Sequence, residues 1–157
     1  MPAAPCFRSL ALVAALSLSG VTAMAADTPS EPSVSDRLAS ARRSIEAKDW
    51  RGAQRELTAA LRDEPRNADV HNLLGYTARK SDPPDMPKAF EHYKRALELN
   101  PRHLGAHEYI GKAYLMVNQP DTAKTHLAQL AALCGNTTCE MYQELDKAIQ
   151  AYQAKKP

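Results

Sequence analysis

Apolar residues recur at every third or fourth position along most of this chain, in stretches that short polar segments separate. This is the spacing of one face of an α-helix. The pattern predicts seven helices, of which six lie at about 35–48, 51–63, 68–80, 87–100, 104–117 and 121–133. The seventh is expected to begin near Thr137, because Thr137 and Glu140 have the spacing of a capping box.

A small residue, a large residue, a second small or apolar residue and a proline recur together at a spacing of about 34 residues. The first two copies are Ala53, Leu57, Ala60 and Pro65, then Ala89, Tyr93, Ala96 and Pro101. The third is Ala123, Leu127 and Leu130, with Gly135 in the position of the proline. Repetition at this period is typical of stacked helical hairpins, in which each hairpin buries its apolar face against its neighbours.

The first helices of two hairpins share a further pattern. It reads His71-xx-Leu74-Gly75-xx-Ala78 in one hairpin and His107-xx-Ile110-Gly111-xx-Tyr114 in the next. With the repeated residues above, these positions resemble the tetratricopeptide repeat. The family's large residue early in each first helix is replaced here by Arg37, His71 and His107.

The resemblance implies an all-α fold, a right-handed α-solenoid with a concave groove. Its three hairpins would span 34–67, 68–103 and 104–135, and a capping helix and tail would span 136–157. Gly75 and Gly111 would let the two helices of a hairpin approach closely, because glycine has no side chain. The other repeat-packing residues implied by the family pattern are Ala53, Ala89, Tyr93, Ala96 and Ala123.

In the family, the first helix of each hairpin lines the concave face. Carried onto this chain, the candidate binding residues of the groove are Arg42, Asn72, Tyr76, Arg79, Lys112 and Met116, and Leu38 and Leu115 are also among the lining positions. Such a polar, mostly basic strip would bind an acidic peptide or a chain terminus. The alternative is an ordinary solvated surface. A carboxylate clamp is not favoured, because Arg42 and Tyr76 stand where that clamp has Lys or Asn.

The beginning of the chain has the pattern of a signal peptide over residues 1–25. Arg8 precedes an apolar run, and Ala23-Met24-Ala25 is a small-x-small cleavage site. The apolar run is too short to span a bilayer comfortably, so no membrane span is expected in the mature chain; a retained anchor is the alternative. Residues 26–33, rich in Pro and Ser, are expected to be a flexible leader. We expect an exported protein, in the bacterial periplasm rather than secreted.

The composition fits one globular domain, since 44% of the 157 residues are hydrophobic. The net charge is +2, and cleavage would remove Arg8 and no acidic residue. A nearly neutral chain lacks the basic footprint of a nucleic-acid-binding protein.

Two cysteines, Cys134 and Cys139, remain in the mature chain. An even number in an exported protein favours a disulfide. A redox-active pair is an alternative, although active dithiols usually lie two residues apart. No metal site is expected, because further Cys or His ligands are not close in sequence.

The sequence contains no phosphate-binding loop, nucleophile elbow or HExxH motif. We therefore expect no enzyme activity and no cofactor. The expected function is that of a scaffold or assembly adaptor in the cell envelope, which holds a protein or peptide in its groove. Two alternatives stay open: a thiol-redox accessory protein that uses Cys134 and Cys139, and a structural subunit whose groove is filled by its own last helix or by a second copy.

Overall fold

The computed structural model describes Met1 and residues 31–155. The expected signal peptide and most of the leader lie outside the described residues. Residues 31–155 form seven α-helices and no strands. The helices are α1 (Val34–Glu46), α2 (Trp50–Asp63), α3 (Ala68–Lys80), α4 (Met86–Leu99), α5 (Leu104–Met116), α6 (Pro120–Cys134) and α7 (Glu140–Ala154).

Short polar side chains fix where several helices begin. Ser33 and Asp36 form a capping box at the start of α1. The side chain of each accepts a hydrogen bond from the backbone N–H group of the other. The side chains of Asp49, Asn67 and Asp85 accept hydrogen bonds from the backbones of α2, α3 and α4. The observed bounds lie within three residues of the sequence-based ones, and those of α3 agree at both ends.

The helices pack as three antiparallel hairpins, α1–α2, α3–α4 and α5–α6, with α7 against α5 and α6. The buried apolar residues form three clusters along the stack, centred on Leu57, Tyr93 and Leu130. The first two clusters each take side chains from two adjacent hairpins, and the third joins the last hairpin to α7, so each layer of the stack buries its apolar face against the next. The chain is an all-α solenoid of helical hairpins.

The two glycines of the repeated pattern contact different partners. A Cβ atom on Gly75 would lie 2.7 Å from the ring of Tyr93, which is in the same hairpin. A Cβ atom on Gly111 would lie 2.6 Å from Leu145 of α7. The expectation that Gly111 serves contact within its own hairpin is therefore wrong. The residue at the repeat position of Tyr93 is Leu127, and the closest side chain to Gly111 comes instead from α7.

The small residues of the pattern are fully buried, namely Ala53, Ala89, Ala96 and Ala123. Leu38 and Leu115, which the resemblance placed among the lining positions of the groove, are buried in the core and do not line it.

The start of α7 differs from the prediction. α7 begins at Glu140 with Cys139 as its N-cap, and no side chain bonds to its first turn, so the expected Thr137–Glu140 capping box is absent. Instead, the Asn136 side chain accepts a hydrogen bond from the Thr138 backbone at 2.9 Å, which closes a local turn. The sulfur atoms of Cys134 and Cys139 lie at bonding distance across this turn.

Candidate functional site

A cavity of about 310 Å³ lies among α3, α5 and α7. Its lining is aromatic and charged, and it consists of Tyr76, Arg79, Lys80, Glu108, Tyr109, Lys112, Glu140, Met141 and Glu144. The residues of α3 and α5 belong to first helices of hairpins, as the resemblance implies for a concave face. The cavity is the centre of the candidate site.

The guanidinium of Arg79 is held in place by aromatic rings. Its Nε donates a hydrogen bond of 3.2 Å to the hydroxyl of Tyr93. Its central carbon lies 5.3 Å from the ring centroid of Tyr76 and 5.9 Å from that of Tyr109, within the range of cation–π attraction. Arg79 is only 7% exposed, and among the described residues no carboxylate lies within ion-pair distance of it. The site therefore contains a fixed, almost buried positive charge.

Other cations surround Arg79. Partial burial lowers the pKa of Lys80, and the nearby charges of Arg79, Lys112 and Lys48 lower it further. The smaller contribution of the three neighbouring cations to the lowered pKa of Lys80 reflects repulsion between like charges. An anion bound among them would relieve that repulsion.

The side of the cavity nearer α7 is acidic. The Nζ atom of Lys112 lies 2.7 Å from a carboxylate oxygen of Glu108 and 3.4 Å from one of Glu144 on α7. Burial raises the pKa of Glu108, and the bond from Lys112 opposes that effect. Glu144 therefore places an anionic group of the chain itself at the edge of the basic cluster.

The structure brings together some of the groove residues that the resemblance implied. Tyr76, Arg79 and Lys112 line the cavity, and Met116 reaches Arg79 with its sulfur 4.0 Å from a guanidinium nitrogen. Arg42 is exposed on α1 and does not line the cavity. Asn72 is buried between α3 and α5, close to Gly105, and its side-chain oxygen has no hydrogen-bond partner.

The sequence reasoning missed Tyr109, and it allowed for the last helix in the groove without naming the residues of α7 that line it. Tyr109 lies one turn before Lys112 on α5, so helical spacing could have placed it on the same face. Glu140, Met141 and Glu144 could not be found in this way, because their approach depends on how α7 packs against α5.

Within residues 31–155, no three His, Cys, Asp or Glu side chains cluster in a way that could hold a metal ion. None of the seven described helices combines the length and apolar character needed to cross a bilayer.

No protein-family model and no curated protein sequence matches this chain. A solved structure does match: the TPR2B domain of yeast Sti1 in its pHsp70 complex. The match has a TM-score of 0.68 at 15% sequence identity, and it covers 78% of this chain and 98% of the other. The seven-helix solenoid of this chain thus has the fold of a tetratricopeptide-repeat domain.

Proposed function

We propose that this chain is a non-catalytic binding module of the cell envelope that holds an acidic segment of another protein in the cavity among α3, α5 and α7. The observation that carries the proposal is Arg79, an almost buried guanidinium that has aromatic neighbours but no carboxylate partner among the described residues. A buried charge is costly unless it is paired. A carboxylate supplied by a partner would provide that pairing.

The geometry around Arg79 suits this role. Tyr76 and Tyr109 hold the guanidinium, so little side-chain freedom is lost when a ligand binds. Lys80 adds a second, exposed cation at the same cavity. The TPR2B domain that shares this fold was solved in a pHsp70 complex, which supports the use of the fold for binding a partner.

A second candidate is a structural subunit whose groove its own α7 occupies. The contact between Lys112 and Glu144 favours it, because Glu144 already supplies a carboxylate to the cavity. The Glu144→Gln variant separates the two. If α7 competes with a ligand, this variant binds an acidic peptide more tightly than the native chain does. If the groove serves only α7, neither form binds.

The direct test is a fluorescence titration with a short labelled peptide rich in Asp and Glu, beside its Asn and Gln counterpart. Lys80→Gln should weaken binding of the acidic peptide by about three- to fivefold, the effect of one exposed charge pair. Lys94→Gln is the matched control, since Lys94 is an exposed lysine on α4 that does not line the cavity. Equal losses in the two variants, or equal binding of the two peptides, would contradict the proposal.

A further inference from the structure

The exposed side of α2 carries arginines that have no acidic partner. Arg51, Arg55 and Arg62 lie on one face of the helix, with Gln54 and Thr58 between them, and these five residues line one shallow cavity of about 630 Å³. Within residues 31–155, none of the three arginines lies within ion-pair distance of a carboxylate. We call Arg51, Arg55 and Arg62 the α2 arginine strip.

The two acidic residues of α2 pair with an arginine of α1 instead. Glu56 and Asp63 each lie 3.6 Å from the guanidinium of Arg37 on α1. Arg37 therefore pairs with both carboxylates of α2 on the side that faces α1. The three arginines lie on the side that faces solvent, without a carboxylate partner among the residues that the structure describes. An unpaired basic strip of this kind attracts anions.

One end of the strip opens into a deeper cleft. Arg51 and Gln54 also line a second cavity of about 540 Å³, whose walls include Trp50, Pro83 and Pro84. The carboxylate in this cleft, Asp85, accepts a hydrogen bond from the first turn of α4 at 3.1 Å. The cleft therefore offers apolar walls next to the basic strip.

We propose that the α2 arginine strip and this cleft form a second docking site, for an extended acidic polypeptide segment that carries an apolar residue. Carboxylates along the segment pair with Arg51, Arg55 and Arg62, since guanidinium groups match the geometry of carboxylates. The apolar residue enters the cleft between Trp50 and the prolines. The site shares no residue with the cavity around Arg79, so one chain could hold two segments at once.

The observations favour a polypeptide over an anionic membrane. Apart from Met1, the large hydrophobic side chains exposed in the described part of the chain are Met116 and Val117, both at the end of α5. No such side chain lies beside the strip to insert into a bilayer. The ligand must also enter a cleft, which an extended chain does and a bilayer surface does not.

The test uses a fluorescent peptide of alternating glutamates with one central p-benzoylphenylalanine, and the same peptide with glutamine for glutamate. Replacing Arg51, Arg55 and Arg62 together by Gln should weaken binding of the acidic peptide by about tenfold or more, from three lost charge pairs. The matched control replaces Arg43, Lys94 and Arg102 by Gln, which removes the same charge from exposed positions elsewhere and should change affinity less than about twofold.

Irradiation of the complex locates the bound peptide. Crosslinks to residues 50–62 or 81–88 support the second site, whereas crosslinks confined to residues 76–80, α5 and α7 overturn it. Equal losses in the two triple variants, or equal binding of the glutamine peptide, also overturn it. Vesicles of phosphatidylglycerol and phosphatidylcholine form a further arm: strip-dependent binding to vesicles without binding to the peptide would assign the strip to a membrane and contradict the proposal.

Discussion

The Nδ1 atoms of His71 and His92 lie 3.1 Å apart and join α3 to α4 by a hydrogen bond. The other ring nitrogen of His71 lies 3.1 Å from the carbonyl oxygen of Pro65. A carbonyl oxygen only accepts hydrogen bonds, so Nε2 of neutral His71 carries the proton and its Nδ1 accepts. His92 is then the donor in the pair.

The same arrangement recurs in the next hairpin. His107 and His126 have their Nδ1 atoms 3.0 Å apart, and the Nε2 of His107 lies 3.0 Å from the carbonyl oxygen of Pro101. His71 and His107 occupy the position where the family has a large residue. In the first hairpin Arg37 fills that position and pairs with Glu56 of α2. Polar pairs thus join the two helices of all three hairpins.

From these histidine pairs we predict that the free energy of unfolding decreases in acid. Burial lowers the pKa of His126 to about 4, with a contribution from His107, and burial also lowers the pKa of His92. In the unfolded chain both histidines titrate near 6.5, so below that pH the unfolded state binds protons that the folded state does not. Stability should fall as the pH decreases from about 6.5 toward 4, by about 1–2 kcal/mol for His126 after allowance for its partial exposure.

The check is the free energy of unfolding in urea, measured between pH 7.5 and pH 4.5. The double variant His92→Gln with His126→Gln removes both titrating groups, so its dependence on pH should be flatter. His103→Asn is the control, because it keeps a capping side chain at α5 and leaves both histidine pairs intact. A double variant with the slope of the native chain would refute this explanation.

Close packing at Gly75 gives a second prediction. Gly75→Ala places a Cβ atom 2.7 Å from the ring of Tyr93, which is fully buried and has no room to move away. Overpacking of this kind should lower the free energy of unfolding by about 1–3 kcal/mol. Gly105→Ala is the comparison, because its nearest neighbour, the Asn72 amide nitrogen, lies 3.2 Å away and α5 gains helix propensity. Urea denaturation should show a clear loss for the first variant and a smaller loss or a gain for the second.

The hydroxyl of Tyr93 connects the core to the candidate site. Burial raises the pKa of this hydroxyl to about 12, although Arg79 opposes the shift. Tyr93→Phe removes the acceptor of the Arg79 Nε bond, and the loss of a buried partner should cost about 1–3 kcal/mol of stability. If Arg79 anchors an acidic ligand, the variant should also bind the acidic peptide less tightly.

Tyr114→Phe is the matched control for that experiment. Tyr114 stacks on His126 with its ring and does not contact Arg79. Its substitution should change neither stability nor peptide binding by more than a few tenths of a kcal/mol. Equal effects of the two substitutions on binding would show that the Tyr93 hydroxyl does not position Arg79 for a ligand.

The fold could be predicted largely from the sequence because helical spacing and the repeat agree with each other. Small residues such as Gly75 on one helix face large ones such as Tyr93 on the next at fixed positions of the repeat, and this sets the pairing of helices. The site was only partly predictable. Arg79 and Lys112 follow from their helix positions, whereas the approach of Glu144 depends on the packing of α7, which follows no repeat. The prediction for Gly111 was wrong for the same reason, because its nearest neighbour is Leu145 of α7.

The last prediction concerns the turn between α6 and α7. We propose that Cys134 and Cys139 form a structural disulfide there, beside Gly135, whose φ of 70° suits glycine and ends α6. A closed loop this short should contribute about 2 kcal/mol in the chain-entropy model. The variant with both cysteines replaced by Ser should therefore be less stable than the native chain in urea. A reducing agent should lower the stability of the native chain to the same level and leave the variant unchanged. A native chain that is insensitive to the reducing agent would exclude a stabilising disulfide and would favour the thiol-redox alternative.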